Sequence, residues 1–144
     1  MRRLRVAIVG ATGVVGQELL KILDERNFPI DKLTLLASAR SEGKPVEFGG
    51  EVLRVGTVSE NSIAGHDIAF FAAGASVSRE LAHAAANNGT LVIDNSSAFR
   101  MDPEVPLVIP EVNPADILKH SGIIANPNCT TTIMVMALKP IDDA

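Results

Sequence analysis

A chain of 144 residues with 47% apolar side chains and a single cysteine is large enough for one domain with an aliphatic core, and it cannot build a disulfide framework of its own. A net charge of -4 with no basic run and only 3% aromatic residues argues against nucleic acid and for a small-molecule partner. No stretch is long and apolar enough to span a membrane, and the lone thiol suits a reducing, cytoplasmic setting.

The basic start Met1-Arg2-Arg3-Leu4-Arg5 resembles the head of a signal peptide, but Gly10, Thr12, Gly13 and Gly16 interrupt the apolar run behind it, so the segment reads as a strand. Leu4 to Val9 is nearly continuous in apolar residues, as in a parallel strand covered on both faces. It leads at once into Gly10-Ala11-Thr12-Gly13-Val14-Val15-Gly16. From about Gly13 to Arg26, Val15, Leu19, Ile22 and Leu23 recur at helical spacing. Strand, glycine turn and helix in this order form a dinucleotide-binding unit. Gly10 and Gly13 let the backbone approach a pyrophosphate at the helix N-terminus, and Gly16 lets helix and strand pack closely. A glycine turn that serves packing alone is the alternative.

Asn27-Phe28-Pro29 stops the helix, and Leu33 to Ala37 supplies the second strand. Its end should meet the adenosine ribose, and there the chain offers Ser38-Ala39-Arg40-Ser41 with no carboxylate. One guanidinium with two hydroxyls suits the 2'-phosphate of NADP rather than the 2'-hydroxyl of NAD; a solvated turn is the alternative. Lys44 to Phe48 and Glu51 to Val55 flank Gly49-Gly50 as a hairpin without evident chemistry. Ile68 to Ala72 is the next buried strand. It ends in Ala73-Gly74-Ala75-Ser76 before a helix bearing Leu81, Ala82, Ala84 and Ala85. The small residues leave room for a nucleotide, or serve close helix packing.

Leu91 to Ile93 carries Asp94-Asn95-Ser96-Ser97-Ala98-Phe99-Arg100 to the same edge. Arg100 can hold a phosphate in a bidentate fork; a solvated arginine is the plainer alternative. Pro103 and Pro106 keep the chain extended, and Asn113 is expected to cap a short helix from Pro114 through Ile117 to His120. His66, His83 and His120 are scattered and have no metal-ligand spacing with the cysteine.

Ile123 to Ala125 reads as the last strand and Thr130 to Lys139 as the last helix, with Asn126-Pro127-Asn128-Cys129 between them. Pro127 ends the strand ladder and Asn128 is a good N-cap. Cys129 then sits where free N–H groups and the helix dipole favour a thiolate and an oxyanion. A buried cysteine acting as a small hydrophobe is the alternative. The fold class is α/β, a Rossmann-like doubly wound, mostly parallel sheet. Residues 1–127 form the nucleotide-binding domain, and 128–144 start a further unit.

Together, Gly10 to Gly16, Ser38 to Ser41, Asp94 to Met101 and Asn126 to Thr131 resemble the N-terminal portion of the aspartate-semialdehyde dehydrogenases, over essentially the whole chain. The resemblance implies that Thr12, Gly13, Val14 and Val15 contact the NADP pyrophosphate, that Arg40 and Ser41 hold its 2'-phosphate, and that Ala73, Gly74 and Asn95 line its cleft. It implies that Arg100 binds inorganic phosphate or the substrate's phosphoryl group, that Asn128 helps hold the reacting group, and that Cys129 is the nucleophile. The reaction implied is reductive dephosphorylation of L-4-aspartyl phosphate to L-aspartate 4-semialdehyde, the precursor of lysine, methionine and threonine.

The resemblance further implies that 128–144 start a second, catalytic and dimerisation domain, the rest of which holds the histidine acid/base and the grips for the substrate amine and carboxylate, in a complete homodimer or homotetramer. His120 belongs to no motif of the family. Without that domain the chain is expected to expose apolar surface, to bind NADP weakly and to turn over little. Two other readings stay open. One is a non-catalytic NADP-binding module; the other is an N-acetyl-glutamyl-phosphate reductase, which Asn128 opposes because that family usually has glycine before the cysteine.

Overall fold

The computed structural model describes residues 2–144; Met1 of the basic start lies outside them. In chain order the elements are β1 (Leu4–Val9), α1 (Val14–Glu25), β2 (Ile30–Ala37), β3 (Pro45–Phe48), β4 (Glu51–Arg54), β5 (Gly56–Thr57), α2 (Glu60–Ile63), β6 (Ile68–Phe71), α3 (Ala75–Asn87), β7 (Leu91–Asp94), β8 (Ile123–Ala125) and α4 (Cys129–Asp142). Six strands form one sheet in the order β5-β2-β1-β6-β7-β8. Every pairing in it is parallel.

The period of two along β1 divides the core. Ala7 and Val9 face the layer of α3, with Leu81, Ala82, Phe71 and Val92. Ile8 faces the layer of α1, with Leu20, Leu23 and Leu35. Val6 to Val9 are wholly buried, which is why this strand is continuously apolar. The chain leaves β1 toward β2 and β5, then returns to lay β6 on the other flank of β1. That reversal opens a crevice at the carboxyl ends of β1 and β6, where open α/β sheets bind ligands.

Several local features depart from the sequence expectation. β2 starts at Ile30 instead of Leu33, because Leu4 pairs with Ile30 across an irregular first step. β5 and α2 are additional to the expected elements. β5 adds two residues beside Leu36 and Ala37, and α2 is a single turn closed by reciprocal Ser59 and Ser62 bonds. The expected hairpin forms as β3 and β4, with Gly49 and Gly50 at positive φ in its turn.

Residues Pro114–Lys119 form a 3-10 helix, and Asn113 does not cap it. Its side chain is spent on the preceding turn: Oδ1 accepts from Ile109 N–H, and Nδ2 donates to the Leu107 carbonyl and to Asp116. α4 passes Lys139 and runs through Pro140 into its final turn. No residue of α4 is buried, and Ile133, Met134, Leu138 and Ile141 are each more than half exposed. Among the described residues no helix is long and apolar enough to cross a membrane.

Candidate active site

The three glycines of the first turn differ in what holds them. Gly10 has φ +93°, and a Cβ on it would lie 2.6 Å from the Ala72 carbonyl carbon and oxygen, so the ends of β1 and β6 touch there. A Cβ on Gly16 would lie 2.3 Å from the Gly10 carbonyl oxygen and 2.8 Å from Ala11 Cα; this glycine sets the contact of α1 with the strand end. Gly13 has an ordinary φ of -80°, and its added Cβ would meet only the Gly10 oxygen, at 3.4 Å. Nothing in the chain's own packing requires a glycine at 13. It is the N-cap of α1, and no side chain caps that helix. Gly74 repeats the arrangement for α3, with φ +94°, no side-chain cap and open space where a Cβ would stand. Two helices thus begin at the crevice with their first N–H groups free of side-chain partners, which is the setting that takes an anion.

Between them lies a cleft of about 370 Å³ lined by Gly10, Thr12, Ser38, Arg40, Ala72 and Ala73, among others. Ser38 and Arg40 are exposed, whereas Ser41 is buried. The Thr12 hydroxyl donates to Ser41 Oγ at 3.3 Å, so the glycine turn and the Ser38-Ser41 turn brace each other. A dinucleotide fits this arrangement: uncapped helix ends for its pyrophosphate, small residues beside its path and a cation at the far end of β2.

On the other side of the crevice, Asp94 is fully buried at the end of β7, a position to which the sequence alone assigns no role. Its Oδ1 accepts from Ser78 Oγ at 2.7 Å and from Ser96 N–H at 3.0 Å, while Oδ2 accepts from Ser96 Oγ at 2.7 Å. The carboxylate therefore ties the loop of Asn95 and Arg100 to α3. The signal in the sequence is Asp followed two residues later by Ser, a turn in which the side chain binds the backbone ahead of it; the partner Ser78 lies too far along the chain to be seen.

Arg100 is half-buried, not fully exposed. Nε donates to the Asn126 carbonyl at 2.9 Å and Nη2 to the Asn95 carbonyl at 3.0 Å. Asn126 Nδ2 donates to Asn95 Oδ1 at 2.6 Å, and Asn126 N–H donates to the Asp94 carbonyl at 2.8 Å. These bonds join the loop after β7 to the segment after β8.

Two residues past the buried Pro127 comes Cys129, the first residue of α4. Asn128 caps the helix as expected, accepting from Thr130 N–H at 2.9 Å. The thiol is exposed, so it is not a buried small hydrophobe, and Sγ points to Asn128 Oδ1 at 3.8 Å. The histidines lie elsewhere. His66 is buried with both ring nitrogens engaged, by Ile63 O and Thr34 Oγ1; His83 packs edge-on against Phe99; His120 Nδ1 accepts from Gly122 N–H. Among the described residues no cluster of three His, Cys, Asp or Glu side chains is placed to hold a metal ion.

Comparison with known proteins agrees with this fold. Residues 5–120 match the family "Semialdehyde dehydrogenase, NAD binding domain". An aspartate-semialdehyde dehydrogenase of Aquifex aeolicus is 61% identical over 142 residues, which is 96% of this chain and 42% of the relative. A crystal structure of aspartate semialdehyde dehydrogenase II from Vibrio cholerae, complexed with ASA, superposes with a TM-score of 0.95 at 52% identity, covering 99% of this chain and 47% of that one. The Candida albicans aspartate semialdehyde dehydrogenase solved with NADP superposes with a TM-score of 0.80 at 25% identity, covering 99% and 47%. The chain thus spans under half the length of these three relatives.

Proposed function

The chain belongs to the semialdehyde dehydrogenase family through its NAD-binding domain, and on that premise we propose that it forms the cofactor-binding and thiol-bearing part of an NADP-dependent aspartate-semialdehyde dehydrogenase. The observation that carries this reading is the convergence of an uncapped glycine turn, Arg40, Arg100 and the exposed Cys129 on the carboxyl edge of one parallel sheet. NADP, when bound, supplies or accepts the hydride. Gly10, Thr12, Gly13, Val14 and Val15 hold its pyrophosphate at the start of α1; Ser38, Arg40 and Ser41 take the 2'-phosphate; Ala73, Gly74 and Asn95 line the remaining path.

Arg100 spends two N–H groups on the carbonyls of Asn126 and Asn95. That fixes the plane of the guanidinium and leaves its Nη1 donors for the phosphoryl oxygens of L-4-aspartyl phosphate. The Cys129 thiolate attacks the acyl carbon, the C–O bond to phosphate breaks, and phosphate departs beside Arg100, leaving a thioester on Sγ. Thr130 N–H is spent on Asn128 Oδ1, so the Asn128 amide N–H groups and the other first N–H groups of α4 stabilise the oxyanion formed on the way. Reduction of the thioester and release of the thiolate yield L-aspartate 4-semialdehyde, for lysine, methionine and threonine synthesis in the cytoplasm.

No histidine hydrogen-bonds to Cys129. We therefore place the proton donor, the grips for the substrate amine and carboxylate, and the dimer or tetramer contacts in the part of the relatives that this chain does not span. The bare apolar side chains of α4 suit a helix that starts that part, with residues 1–127 as the nucleotide-binding domain.

The test is a fluorescence titration with NADPH and NADH, joined to alkylation of Cys129 with and without inorganic phosphate. NADPH should bind more tightly than NADH, and phosphate should slow the alkylation. Equal affinity for both nucleotides together with alkylation indifferent to phosphate would overturn the reading.

A further inference from the structure

We infer that Asn126 is a positioning residue, whose side-chain bond to Asn95 sets the anion-binding geometry of Arg100 and its registry with Cys129; the inference rests on the reading of Arg100 as the phosphate site. The two carbonyls that hold the guanidinium belong to Asn126 and Asn95. Their side chains are bonded directly, Nδ2 to Oδ1 at 2.6 Å. One side-chain bond therefore links the two residues that supply the acceptors on which Arg100 rests.

The same residue is anchored from below by its N–H on the Asp94 carbonyl, and Asp94 is itself buried and held by Ser78 and Ser96. Above it, Pro127 is buried and restricts the backbone. The cap Asn128 and Cys129 come directly after. Asn126 is thus the joint between the arginine loop after β7 and the cysteine helix after β8. If the amide pair is broken, the backbone bond from Asn126 N–H to the Asp94 carbonyl still joins the two segments, but the separation of the two carbonyls is held less tightly. The guanidinium loses its single orientation, and an anion on it no longer lies in a constant place against Sγ. Asn126 makes no hydrogen bond to the thiol, whose partner is Asn128; it acts through Arg100.

The test measures the phosphate concentration that half-protects Cys129 from iodoacetamide, without nucleotide, in the unmodified chain and in Asn126→Ala, Asn95→Ala, their double variant and Arg100→Ala. Loss of one interaction worth a typical hydrogen bond predicts a rise of about five-fold in that concentration for each single Asn variant, equivalent to about 1 kcal/mol. The double variant should rise no further, because both singles remove the same bond. Arg100→Ala should abolish protection.

Unchanged protection in Asn126→Ala, or effects of the two Asn variants that add, would overturn the inference while Arg100→Ala still upholds the phosphate site. Absence of protection in the unmodified chain would instead remove the site itself. Circular dichroism monitors folding throughout. An Asn126→Ala that unfolds while Asn95→Ala stays folded and fully protected would make Asn126 a folding element and would equally overturn the positioning role.

Discussion

Replacing each glycine of the first turn by alanine should separate packing from ligand binding. In Gly16→Ala the new methyl would stand 2.3 Å from the Gly10 carbonyl oxygen and 2.8 Å from Ala11 Cα. Both are backbone atoms that cannot rotate away, so α1 must move off β1. Alanine gains about 1 kcal/mol of helix propensity over glycine, while overpacking of this kind costs about 1–3 kcal/mol or more; a separation of only 2.3 Å belongs at the upper end, for a net loss of about 2 kcal/mol. Gly10→Ala adds a φ of +93° to a 2.6 Å clash with Ala72, and strain of that kind alone costs about 1–3 kcal/mol.

Gly13→Ala behaves differently. The N-cap preference for glycine over alanine, about 1 kcal/mol, is offset by the reduced entropy of the unfolded chain, about 0.4–1 kcal/mol. Stability should then change by less than about 1 kcal/mol, while a methyl at the mouth of α1 keeps the pyrophosphate from the helix N-terminus. The chain has no Trp and no Tyr, so urea unfolding is followed by far-UV circular dichroism, and NADPH fluorescence is read without protein background. Gly13→Ala that binds NADPH normally, or that unfolds as readily as Gly16→Ala, would refute the reasoning.

Three other outcomes are expected. Arg40→Ala should weaken NADPH about 30-fold, the equivalent of about 2 kcal/mol for a charge-assisted contact, and leave NADH unchanged in parallel titrations. Asp67 is held down at about 2 by hydrogen bonds from the Arg5 side chain and backbone, with Coulombic support from Arg5 and Arg2. Its folded value lies below the unfolded one, so its contribution to stability is present above the unfolded value and is lost as pH falls through about 2; Asp67→Asn should be less stable at neutral pH, and the difference from the unmodified chain should shrink as pH falls through about 2. Asp94→Ala leaves Ser78 Oγ, Ser96 Oγ and Ser96 N–H without their acceptor and should cost about 3 kcal/mol in urea unfolding.

What is legible in the sequence and what is hidden have physical causes. β1 is legible because both faces are buried and its apolar run is unbroken; α1 is legible because its apolar residues keep one period. The glycine turn, the Ser38-Ser41 turn and the Asn128 cap are legible because each is closed by a bond within three residues, Gly13 N–H to Gly10 O, Ser41 N–H to Ser38 O and Thr130 N–H to Asn128 Oδ1; the contacts of Gly10 with Ala72 and of Thr12 with Ser41 are not legible in the same way. β5 is invisible because two residues carry no period, and α2 because one turn closes on serines instead of the usual Glu or Gln. Asn113 has the residue type of a cap, yet Ile109 N–H, Leu107 O and Asp116 compete for its side chain and win. The Asn95-Asn126 and Asp94-Ser78 bonds span 31 and 16 residues; such pairs are set by the order of strands and leave no periodic mark.

Intact-mass analysis after incubation with L-4-aspartyl phosphate, before any nucleotide is added, bears most directly on the thiol and its anion site. Acyl transfer to a thiolate needs neither hydride nor a proton donor, so the groups proposed for its bond making and breaking, Cys129, Asn128, the start of α4 and Arg100, are on this chain, and only the grips for the substrate amine and carboxylate are not. The expected result is an aspartyl thioester on Cys129, removable by hydroxylamine and absent from Cys129→Ser and Arg100→Ala. A folded chain that stays unmodified, or that carries the acyl group on another residue, would contradict the role given to Cys129.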